Sequence, residues 1–126
     1  MNEEAKKGKQ SPIKHNIGAT FIPVKNIEAA RDWYCDILGL EPDGDILFGH
    51  LYVIPLANGN GLVLDSKIYP QRSTGDAPLF HFDTEDIQQS YDFLNEKGVH
   101  ITSDIEHGHF FHFKDPYGNA LMVCQC

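Results

Sequence analysis

Positive charge is in short supply in this sequence. Lys and Arg number 10 against 18 Asp and Glu, a formal net charge of −8. A nucleic-acid or anionic-membrane partner calls for clustered basic residues, so both are argued against. Long apolar runs are missing as well; none approaches the roughly 20 residues that cross a bilayer. Cysteine is scarce. Cys35, Cys124 and Cys126 are too few, and odd in number, for a disulfide framework. Residues 1–10 are polar and mixed in charge, unlike a signal or transit peptide. Both features point to a reducing cytoplasm as the expected location. Cys124 and Cys126 lack the further cysteine partners of a soft-metal site. No nucleophile elbow is present, and no Cys or Ser has an evident triad. Gly59-Asn60-Gly61 has no helix behind it, which excludes a phosphate loop.

What the chain does have is one domain's worth of core. Hydrophobic residues make up 41% of its 126 residues, enough for a core at this size. Residues 1–14 show no apolar periodicity and contain Gly8, Ser11 and Pro12, so they read as a flexible tail. The domain is expected over residues 15–126. Residues 17–24 form a β-branched and aromatic run, expected as a strand. Asn26 follows as a helix N-cap, with Glu28 in the first turn. Ile27, Ala30, Tyr34, Ile37 and Leu38 recur at helical spacing, and Gly39 stops the helix.

The same pattern then repeats. Residues 79–83 read as a strand, Asp86 as the cap, and Ile87, Ser90, Phe93 and Leu94 as the stripe, with Gly98 as the stop. Ile87 follows Ile27 by 60 residues, and from the glycine stops onward the offset is 59. At that second offset Gly49-His50 meets Gly108-His109, and Gly59-Asn60 meets Gly118-Asn119. A duplication with one deletion accounts for the run from about residue 18 to 125. Further strands are expected at 46–48, 50–55 and 61–66, and at 99–103, 110–114 and 120–125. Module one thus covers about 17–67, a linker about 68–78, and module two about 79–126. The fold class is α+β: two tandem β-α-β-β-β modules forming a curved mixed sheet, helices outside, around a central cavity.

Asn26 through Trp33-Tyr34 to Ile37-Leu38-Gly39-Leu40 resembles the first module of the glyoxalase, bleomycin-resistance and extradiol-dioxygenase (vicinal oxygen chelate) superfamily. Phe111-His112-Phe113-Lys114-Asp115-Pro116-Tyr117-Gly118-Asn119 resembles its penultimate hairpin with the Asp-Pro-x-Gly-Asn turn. The similarity covers roughly residues 17–125. It implies a small-molecule protein, and it leaves the activity open, because the superfamily holds lyases, racemases, dioxygenases, thiol transferases and metal-free drug binders. It also implies where a divalent metal would sit, on the first and last strands of each module. Those positions are Ala19, Val63, Leu79 and Met122. Three carry no donor atom, and a thioether is a poor ligand for a hard cation. The expectation is therefore no metal cofactor.

Period-two alternation puts Ala19, Phe21, Val63, Asp65, Leu79, His81, Ala120, Met122 and Cys124 on the cavity face. By resemblance to the lyases, Phe110 and His112 and their repeat partners Leu51 and Val53 also point inward. Apolar walls with a few polar groups suit a small organic ligand. The polar candidates are His81, His112 and Asp65. Each histidine reads equally as a half-buried hydrogen-bonded residue or as a ligand contact or general base. Asp65 reads as a solvated strand end, or, if buried, as the partner of a histidine across the hollow. His50, His107 and His109 read as strand-start features. Arg72 sits alone in the linker. Two functions remain: a metal-free protein that binds or sequesters an unidentified small molecule, or an enzyme with displaced ligands or a histidine base. The resemblance to drug-binding members implies a homodimer.

Overall fold

The structure, a computed structural model, describes residues 10–126. Residues 1–9 of the expected tail lie outside the described residues. From Gln10 to Gly18 the chain is exposed and has no regular element. The elements then run β1 (Ala19–Pro23), α1 (Ile27–Leu38), β2 (Leu51–Pro55), β3 (Gly61–Asp65), a short 3-10 turn (Tyr69–Gln71), β4 (His81–Asp83), α2 (Ile87–Glu96), β5 (His100–Ile101), β6 (Phe110–Lys114) and β7 (Ala120–Cys124).

Both helices start and stop where their caps dictate. The Asn26 side chain accepts from the Ala29 amide at 2.9 Å, and Asp86 accepts from Gln89 at the same distance. Each satisfies an amide that has no partner within the helix. Gly39 ends α1 in the left-handed region at φ 71, where a side chain would be strained. The helices bury Ile27, Ala30, Tyr34 and Cys35 on α1 and Ile87 and Leu94 on α2; of the expected stripes Ile37, Leu38 and Ser90 are only half-buried and Phe93 is exposed.

One expected strand is absent. Residues 46–48 make only an isolated bridge from Leu47 to Leu51, because Phe48 and Gly49 both take positive φ, 53 and 76, and fold the chain back. The duplication extends to this detail. His107 and Gly108 take φ 53 and 71 in module two, beside a Glu106–Phe110 bridge.

The strands form two mixed sheets rather than one. The first has the order β1-β3-β2 and the second β4-β7-β6-β5, so β1 and β2 are the edges of one and β4 and β5 of the other. In each sheet the module's first strand lies parallel to its last, and the last two are antiparallel. The two modules meet through their helix sides. Ile22, Leu62, Leu64, Tyr34, Phe111, Phe113 and Leu121 are fully buried within one continuous core.

A polar lock ties this seam. Asp115 is buried, yet among the described residues no Lys, Arg or His pairs with it. Its Oδ2 accepts from the Tyr34 hydroxyl at 2.5 Å and from Asn119 Nδ2 at 2.7 Å; its Oδ1 accepts from the Tyr117 and Asn119 amides, each at 2.9 Å. Asn119 Nδ2 also donates to the Pro23 carbonyl at 2.8 Å, and the Tyr117 hydroxyl donates to the Asn26 carbonyl at 3.3 Å. The Asp-Pro-x-Gly-Asn turn of module two therefore grips module one.

Burial, and then the Asp115 charge, hold the Tyr34 phenol well above its ordinary value of 10.0. A folded-state value raised in this way gives stability that is complete below about pH 10. Above that the unfolded chain loses the proton first, so the contribution fades as pH rises toward the folded value. Denaturant unfolding at about pH 9 and about pH 11 should show the wild type losing more stability between the two than Tyr34→Phe does. Equal losses would mean that Tyr34 does not titrate in the lock.

Candidate functional site

The cross-strand registers arrange the expected cavity residues in rows. In module one, Phe21, Val63 and Val53 stand opposite one another across β1, β3 and β2, with Pro23, Asp65 and Leu51 in the next row. In module two the matching rows are His81, Met122 and His112, then Asp83, Cys124 and Phe110. Leu79 precedes β4 and donates its amide to the Ala120 carbonyl at 2.9 Å. Within each module the candidates thus share one sheet face, the face away from the helix.

The two sets are not brought together within one chain. The expected central cavity would cover them, but Phe21 is 57% exposed, Val53 43% and Leu79 44%. With the modules joined through their helix sides, these faces point outward from the shared core. Only Val63, Asp65, Ala120 and Cys124, on or at the end of the inner strands, are buried.

Asp65 is the clearest departure from expectation. It is a buried carboxylate and not a solvated strand end, and its partner is neither His81 nor His112. His50 Nδ1 lies 2.9 Å from Asp65 Oδ1, and the Lys67 amide donates to the same oxygen at 2.9 Å. The positive-φ turn at Phe48 and Gly49 brings the imidazole back over the strand end. His50, which reads from sequence as a strand-start feature, belongs to the face.

His81 and His112 repeat this motif more loosely. His81 Nδ1 lies 3.3 Å from Asp83 Oδ1, and His112 Nδ1 lies 3.3 Å from Glu106 Oε2. A carboxylate at one ring nitrogen orients the imidazole and leaves Nε2 for a ligand. Asp83 and Glu106 carry no sequence signal of their own; the period-two pattern for Asp83 and the turn repeat for Glu106 are the only hints. Cys124 and Cys126 stand side by side at the end of β7, their Cα atoms 5.4 Å apart. Cys35 is a free, buried thiol, pushed up by burial.

The family's metal does not fit this donor set. Ala19, Val63 and Leu79 have no ligating atom, and Met122 offers only a thioether between two histidines. Among the described residues no three His, Cys, Asp or Glu side chains gather closely enough to hold a metal ion.

A duplicated β-α-β-β-β frame with an apolar, histidine-bearing sheet face in each half defines a class of small-molecule proteins. The chain belongs to the Glyoxalase/Bleomycin resistance protein/Dioxygenase superfamily, whose family model matches residues 16–123. A comparison with curated protein sequences finds no match. Among solved structures, the chain is similar to TnmS3, an antibiotic binding protein from Streptomyces sp. CB03234. The two are 26% identical, with a TM-score of 0.69, over 92% of this chain and 98% of that one. Lactoylglutathione lyase from Agrobacterium tumefaciens is 20% identical, TM-score 0.68, over 91% and 96%. Oxidase ChaP-H1 is 19% identical, TM-score 0.61, over 90% and 97%. The last two likenesses show the fold alone. No helix among the described residues is long and apolar enough to cross a membrane.

Proposed function

We propose that this protein binds or sequesters a small organic molecule against the apolar sheet faces, without the divalent metal centre of its enzymatic relatives. One observation carries the reading: Ala19, Val63, Leu79 and Met122 replace hard donors at all four ligand positions. The likeness to an antibiotic binding protein is in keeping with it. Two half-hollows left open in one chain also support a homodimer, in which module one of one copy faces module two of the other. Leu51, Val53 and Phe21 would then wall the ligand on one side, and Phe110, His112 and Leu79 on the other. Ligand binding to the folded state raises the melting temperature by mass action. Purified protein should be free of stoichiometric divalent metal by mass spectrometry, and its melting temperature should rise with aromatic amphiphiles. A bound divalent metal that disappears in the His81→Ala, His112→Ala double variant would overturn the reading.

The carboxylate-held imidazoles of His81 and His112 favour a second reading, a metal-free enzyme with a histidine base. A bell-shaped or sigmoidal pH dependence of substrate turnover, abolished by His112→Ala, would select it over simple binding.

A further inference from the structure

The two modules are copies, but the seams between them are not. On one side Tyr34 reaches Asp115, Asn119 reaches the Pro23 carbonyl, and Tyr117 reaches the Asn26 carbonyl. Carrying each partner through the repeat gives the matching groups on the other side. Tyr34 becomes Leu94 and Asp115 becomes Leu56; Asn119 becomes Asn60 and Pro23 becomes Asp83; Tyr117 becomes Asn58 and Asn26 becomes Asp86. None of these pairs is hydrogen-bonded among the described residues. Where Tyr34 and Asp115 fill the first seam, the second seam has lost both the aromatic ring and the polar lock.

A cavity of about 320 Å3 stands there, walled by Ile37, Leu38, Phe82, Phe93, Leu94 and Val123, with Thr84, Gln89, Ser90 and Asp83 at its polar side. A second, of about 370 Å3, shares Leu38, Phe82 and Asp83 with it and runs on to Leu56 and Asn58 in the β2–β3 turn. Phe82, Phe113 and Val123 of the first cavity alternate along their strands with His81, His112 and Met122. The cavity is therefore on the helix side of the sheet, behind the face proposed above.

We infer that this open seam is a second ligand site, for a neutral or cationic molecule with one aromatic ring system and a hydrogen-bond donor. The walls supply apolar area of ligand size. Phe82 and Phe93 offer aromatic faces and edges. The Thr84 and Ser90 hydroxyls already bond each other at 2.7 Å, so a ligand donor meets the Gln89 side-chain amide oxygen. No Lys, Arg or His lines the first cavity, so an anion there goes unpaired; Lys97 lies over the Phe93 ring but pairs with Asp36, and His81 enters only the second cavity. The inference goes beyond the proposed function and does not depend on it.

The test is an NMR titration of isotope-labelled full-length protein with tryptamine, and with indole-3-acetate as its anionic counterpart. Tryptamine should shift Leu38, Leu94 and Val123 while leaving Phe21 and Val53 unmoved. Indole-3-acetate should bind about tenfold more weakly or not at all, the effect of burying an unpaired carboxylate. Phe93→Ala removes an exposed wall without touching the core and should weaken tryptamine about tenfold. Ser90→Leu fills the cavity from the half-buried helix face and should weaken it comparably. Shifts centred on Phe21 and His112, no binding, or unchanged affinity in both variants would each overturn the inference.

Discussion

Replacing Asp115 with alanine should lower the unfolding free energy by about 3–4 kcal/mol, the cost of stranding several buried donors at once. The carboxylate is the single acceptor on which the Tyr34 hydroxyl, two backbone amides and Asn119 Nδ2 converge. Asn119 Nδ2 keeps the Pro23 carbonyl, but the Tyr34 hydroxyl and the two amides have no other partner among the described residues. For a chain of this length such a loss corresponds to a melting temperature lower by roughly 10–15 °C. Asp115→Asn separates shape from charge. Its amide oxygen can still take the two backbone amides, but its NH2 must then face Asn119 Nδ2, donor against donor. It should fall between wild type and the alanine variant. Differential scanning calorimetry of the three proteins decides the matter. An alanine variant within about 1 kcal/mol of wild type, the size of one ordinary hydrogen bond, would show that the seam is held by apolar packing alone.

Such a lock was only half legible beforehand. The Asp-Pro-Tyr-Gly-Asn turn was visible, as were the capped helices and the stripe containing Tyr34. These are local patterns, set by cap chemistry and by periods of 3.6 and 2, and the structure follows them closely. That Tyr34 meets Asp115 was not visible, because the pairing joins residues 81 apart across a module interface that no local period encodes. The same distinction explains the sheets. Alternation put Phe21 with Val63 and His81 with Met122, and the resemblance added Val53 and His112; the registers set each trio on one sheet face. Alternation carries no information about which surface of one module seats against the other, so one continuous sheet and two separate sheets look alike in the sequence. His50 was missed for a narrower reason. The hairpin register sets Leu51 against Asp65, which puts His50 diagonally beside that carboxylate, but only if residues 48 and 49 turn rather than continue the strand. A phenylalanine at positive φ is the residue least expected to do so.

The arrangement of the two open faces leads to the most discriminating experiment, a mixing of two defective chains. Phe21→Asp places a charge on the module-one face, and Leu79→Asp places one on the module-two face. Both side chains are largely exposed in the single chain, so neither change should unfold it. Each variant alone should lose most of the melting-temperature rise given by an aromatic amphiphile, because every hollow then has one charged wall; an unpaired carboxylate against an apolar ligand costs several kcal/mol. If each hollow is built from module one of one copy and module two of another, unfolding and refolding an equal mixture yields heterodimers with one doubly charged and one intact hollow. Half of the dimers would be mixed, and half of their hollows sound, so about a quarter of the wild-type binding capacity should return, as two-fold pairing of closed dimers requires. If each chain forms its own hollow, mixing restores nothing, since both kinds of chain remain defective wherever they sit. Ligand stoichiometry by isothermal titration reads the difference directly, and it does so whether the bound molecule is a substrate or a sequestered compound.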